Sequence, residues 1–90
     1  NGFIDLTLIV SNKGALGSKP LLNVKGLPIF EKEEFFDGLE EEVIKLTKTF
    51  SLKNAKQYEN LIEGLKKTCR KYAKEKTGKK PITNINVIRI

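Results

Sequence analysis

The chain has 90 residues, a formal net charge of +6, one cysteine and no histidine. That length allows one small domain with a single two-layer core, and leaves no room for a separate catalytic domain. A lone cysteine, Cys69, excludes an internal disulfide and fits a reducing, cytoplasmic setting. No apolar run approaches the roughly 20 residues that cross a bilayer, so no membrane partner is expected. The chain opens Asn1-Gly2, without Met, and enters a strand at once; this is expected of a piece cut from a longer protein.

Phe3 to Val10 alternates, with Ile4, Leu6, Leu8 and Val10 on one face and Asp5 and Thr7 on the other. The period predicts a half-buried strand. Ser11-Asn12-Lys13-Gly14 and Gly17-Ser18-Lys19-Pro20 are turn formers. Leu21 to Lys25 reads as a second strand, with Leu22 and Val24 inward, ended by Gly26-Leu27-Pro28. A connection this short predicts an antiparallel pair.

From Glu31 the period becomes helical: Phe36, Leu39, Val43, Leu46 and Phe50 make one stripe. Glu31, Glu33 and Glu34 suit the positive end of the helix dipole, while Gly38 inside the helix costs about 1 kcal/mol against Ala. Asn54 and Gln57 have the spacing of a capping box for a second helix. Its stripe is Tyr58, Leu61, Ile62, Leu65, Cys69, Tyr72 and Ala73, and Gly78 and Pro81 stop it. Thr83 to Ile90, rich in β-branched residues, reads as the closing strand. The expected fold is α+β in the order ββααβ, one domain over 1–90, with both helices on one face of a three-stranded sheet.

The absence of histidine removes the commonest general base and zinc ligand, and every Ser-His or Cys-His nucleophile arrangement. Glu40, Glu41 and Glu42 are consecutive on a helix and point about 100° apart, so they do not converge on a metal. Gly14-Ala15-Leu16-Gly17 matches the bare form of a backbone-gripping KH loop, but that loop must join two helices and this one joins two strands. Cys69 lies in the apolar stripe and reads as a small buried hydrophobe. Tyr58 and Tyr72 read as core residues with hydroxyls at the rim, and no aromatic is available for base stacking. No catalytic residue, metal site or cofactor is expected in this chain.

Charge is segregated along the sequence. Residues 30–50 carry three lysines against seven acids, whereas residues 51–80 carry ten Lys or Arg against three Glu. Lys67, Arg70, Lys71 and Lys74 fall opposite the apolar stripe of the second helix, and Lys79 and Lys80 extend the run past its end. These six are the candidate RNA-binding residues; a plainly solvated helix face is the competing reading.

Tyr72-Ala73-Lys74-Glu75-Lys76-Thr77-Gly78-Lys79-Lys80-Pro81, followed by the strand Ile82 to Ile90, resembles the closing segment of ribonuclease J. There an aromatic helix end leads through a Thr, two bases and a Pro into a final apolar strand. The strand Phe3–Val10, the glycine-containing turn and the Leu22-to-Pro28 stretch before an acidic helix are similar to the start of that family's C-terminal domain. The resemblance implies a parent with metallo-β-lactamase and β-CASP domains, which cleaves RNA at a two-zinc site as a 5′-to-3′ exonuclease and endonuclease. It also implies that the C-terminal domain supports dimer formation, so the expected partners are those catalytic and β-CASP domains, another subunit and RNA. The acidic face Glu34, Asp37 and Glu41 and the basic second helix carry opposite signs, and one of these faces is then expected to meet another subunit in the parent, too weakly to hold the isolated chain as a stable dimer. The alternative is a stand-alone basic module for nucleic-acid binding or oligomerisation.

Overall fold

In the computed structural model, residues 2–11, 13–14, 16–51, 53 and 55–90 are described. The chain runs β1 (Phe3–Val10), β2 (Leu21–Lys25), α1 (Lys32–Thr47), α2 (Ala55–Thr77) and β3 (Ile82–Arg89). This is the expected ββααβ order. The sheet order is β2-β1-β3, with β1 antiparallel to β2 and parallel to β3.

β1 takes the centre because its alternation is the cleanest. Ile4, Leu6, Leu8 and Val10 are all fully buried, and both helices cover that face through Phe35, Leu39 and Val43 of α1 and Leu61, Leu65, Cys69 and Ala73 of α2. Leu22 and Val24 of β2 are half-buried against the same core, as their spacing predicts. The other face of the sheet is uncovered by any described element. Phe3, Leu21, Ile82 and Ile88 stand exposed on it, and at its middle Asp5 accepts hydrogen bonds from the amides of Asn84 (3.1 Å) and Asn86 (2.9 Å).

Three boundaries and one stripe differ from the sequence reading. α1 begins at Lys32, with Glu31 at the N-cap position and no side-chain cap. β3 spans Ile82–Arg89, one residue earlier at each end than Thr83–Ile90. The buried row of α1 is Phe35, Leu39, Val43 and Thr47 rather than the row through Phe36, Leu46 and Phe50, which are half-buried at its margin or beyond the helix. Thr47 can occupy a core position because its hydroxyl donates to Val43 O at 2.7 Å, so no polar group is left orphaned. Asn54 of the expected capping box, and Asn12 and Ala15 of the first turn and the KH-like stretch, lie outside the described residues.

Candidate nucleic-acid interface

α2 has two unlike sides. Leu61, Leu65, Cys69 and Ala73, spaced by four, turn inward and are fully buried. Residues half a turn away emerge on the opposite side, where Lys67, Arg70, Lys71 and Lys74 are all exposed. Gly78 closes the helix with φ of 78°, a left-handed conformation that favours glycine, and its N–H donates to Lys74 O at 2.9 Å. Thr77 Oγ1 donates to Ala73 O at 2.7 Å and accepts from Lys79 N at 3.2 Å. These bonds fix the course of the chain past the helix end and bring Lys80 back beside it. Lys67, Arg70, Lys71, Lys74 and Lys80 then line one open hollow of about 440 Å³ together with a single acid, Glu75. Lys79, the sixth candidate, is exposed but does not line that hollow.

Among the described residues none of the six stands within 4.0 Å of a carboxylate. On α1 an ion pair joins Lys45 and Glu42 at 3.9 Å. The hollow therefore gathers cations that form no ion pair among the described residues, four on α2 and Lys80 just past its end. Such a surface attracts phosphates, and its open form suits a backbone better than an enclosed small molecule.

The acids Glu34, Asp37 and Glu41 of α1 are exposed on the neighbouring helix. Tyr72 lies at the crossing of the two helices. Its ring meets Phe35 edge-on at 5.3 Å and carries the Lys76 ammonium 5.6 Å from its centroid. Burial, and then Glu42, Glu41 and Glu34, hold its phenol above the ordinary value. Tyr58 departs from the expected rim position: its hydroxyl is buried and has no hydrogen-bond partner among the described residues, while Arg89 stands 5.8 Å from its ring centroid.

The sequence reading missed Phe30. It is 96 % exposed, beside a hollow of about 240 Å³ that Tyr72 and Lys76 help to line. Periodicity carries no signal for it, since Phe30 sits in the connector before α1 and its exposure is set by tertiary packing. Phe30 is thus an exposed aromatic that the sequence reading, which weighed only the two tyrosines for stacking, did not consider.

Cys69 is fully buried, and burial pushes its thiol up to about 12, so it is inert. Among the described residues no group of three or more His, Cys, Asp or Glu is placed to hold a metal ion, and no helix is long and apolar enough to cross a membrane. In comparison with known proteins, the family model of the Ribonuclease J C-terminal domain matches residues 1–90. No curated protein matches.

Proposed function

Since the chain belongs to the Ribonuclease J C-terminal domain family, we propose that it acts as a non-catalytic part of a ribonuclease J-like RNA-processing enzyme and holds RNA by the outer face of α2. The observation that carries the RNA contact is the convergence of Lys67, Arg70, Lys71, Lys74 and Lys80 on one unpaired basic hollow. Lys79, exposed at the turn, adds to the same field. Phosphate contact by these side chains is independent of base sequence, with a dissociation constant of roughly 10⁻⁴–10⁻⁶ M at physiological salt. Tethered beside a catalytic channel, a contact that weak raises the local concentration of substrate.

The cleavage chemistry belongs to the parent's metallo-β-lactamase and β-CASP domains, in the cytoplasm, with zinc as the metal. The residues of this chain do not fit that metal: there is no histidine, and Cys69 is a buried neutral thiol. No step of hydrolysis runs through them. The domain's second role is to join subunits of the parent.

The test is to incubate the chain with 5′-labelled single-stranded RNA at low salt and follow binding and cleavage together. The expected result is retarded, intact RNA, with binding lost when Arg70, Lys71 and Lys74 are changed to Glu. Chelator-sensitive degradation that disappears on mutation of the chain itself would overturn the non-catalytic reading. Unchanged affinity after the charge reversal would leave these lysines a solvated face.

A further inference from the structure

Phe30 is 96 % exposed, so the faces of its ring are open. Its backbone is held on both sides: Ile29 N donates to Leu27 O just before it, and Phe35 N to Glu31 O just after it. The hollow that Phe30 lines is walled by Ile29, Phe35 and Tyr72, and Lys76 stands at it with its ammonium 5.6 Å from the Tyr72 ring centroid. The other large apolar residues exposed among the described ones belong to the three strands or, for Ile90, follow the last of them. Phe30 has none of these beside it; the charges Glu31, Glu34 and Lys76 share its hollow instead. A protein partner calls for a contiguous apolar patch. A single open ring with a cation beside it suits a flat group carried on a polyanion.

This hollow and the basic one meet at the end of α2. Thr77 lines the first and its hydroxyl holds Lys79 N at 3.2 Å, while Lys80 lines the second. Three residues of chain reach at most about 11 Å, the span of roughly three stacked nucleotides of one strand. A strand whose phosphates lie along Lys67, Lys71, Lys74 and Lys80 thus brings its next bases within reach of Phe30.

We propose that Phe30 is the stacking platform for one unpaired nucleobase of that strand, so that the domain takes single-stranded RNA. The inference rests on the RNA contact proposed above and names the form of RNA it accepts. Every base offers a π-face to an aromatic ring, so the contact stays independent of sequence. Lys76 meets a phosphate next to the stacked base. Glu31 and Glu34 repel phosphate from the hollow itself and can accept hydrogen bonds from base N–H groups. At about 240 Å³ the hollow is smaller than the roughly 300–1,000 Å³ of sites for drug-sized molecules, which leaves room for one base. In a duplex the bases are paired and stacked on one another, and none is free to lie on the ring.

Phe30→Trp gives the chain its only tryptophan, and its emission reports the stack directly. Single-stranded oligouridylate at low salt is expected to quench it. An abasic ribose-phosphate strand of equal length, and an RNA duplex, should leave it unchanged although both carry phosphates. Phe30→Ala should weaken binding of oligouridylate by about fivefold to a hundredfold, the loss of one stacked base. Its salt slope and melting temperature should remain those of the wild type, and Phe30→Tyr should bind as the wild type does. Reversal of Arg70, Lys71 and Lys74 flattens the salt slope instead, so ring and charge are told apart. RNA bound as tightly by Phe30→Ala as by the wild type, or quenching as strong with the abasic strand, overturns the stacking and leaves the phosphate contact standing. Indole emission shifted to the blue in the parent enzyme without RNA would give Phe30 to a contact with the parent's own domains and overturn it too. A chain that binds no RNA at low salt overturns both readings.

Discussion

Gly38 sits where α1 crosses α2, and a Cβ there would overlap the hydroxyl of Tyr72. From sequence it reads as a weak point in a helix; in the fold it is the condition for close packing. Gly38→Ala gains about 1 kcal/mol of helix propensity, yet it should lower the melting temperature, because the rigid tyrosine ring must move. Tyr72→Phe in the same chain should recover most of the loss, since it removes the atom that clashes. A Gly38→Ala chain more stable than wild type would show that the helices are not that close. Cys69 gives a pH test. Its thiol ionises at its ordinary value of 9.0 in the unfolded chain and at about 12 when buried. The unfolded state therefore binds fewer protons in that window, and the thiol's contribution to stability is lost as pH rises from 9 toward 12. Denaturant unfolding should show wild type losing more stability across that range than Cys69→Ala does. Equal losses would contradict a buried neutral thiol.

β1 and α2 were legible almost to the residue, because each carries one strong period and one uninterrupted apolar face. α1 was harder. Phe35 and Phe36 both fall within helical spacing of Leu39, and the register that wins ends on Thr47, a polar residue whose hydroxyl is satisfied within its own helix. A hydropathy reading has no means of placing that threonine in the core, so it took the row through Leu46 and Phe50 instead. The stripe of α2 makes a direct prediction. Leu65→Ala should cost about 2–5 kcal/mol by chemical unfolding, as truncation of a fully buried leucine does. For a domain whose total is about 5–15 kcal/mol that is a large share, and a loss under 1 kcal/mol would mean that the helix is not packed on the sheet. At its end, Gly78→Ala places a side chain at a φ of 78° and should cost about 1–2 kcal/mol, measurable in the same way.

Beyond its core the domain presents three kinds of surface: an acidic helix, a basic helix beside it, and an uncovered sheet face. The basic face was legible because helical spacing alone collects Lys67, Arg70, Lys71 and Lys74. The place of Lys80 in the hollow depends on the Gly78 turn, and its separation from Lys79 could not be read from charge. Phe30 was not legible, since its exposure is decided by what the remaining chain leaves uncovered. RNA affinity as a function of salt tests the central claim most directly, for wild type and for the chain with Arg70, Lys71 and Lys74 changed to Glu. Each phosphate neutralised on a single strand contributes about −0.7 to the slope of log affinity against log salt. Engagement of the cations that line the α2 hollow thus predicts a wild-type slope of roughly −3 to −4. The reversed chain should bind far more weakly, with a slope near zero. A shallow wild-type slope, or two chains with the same affinity and slope, would contradict the account.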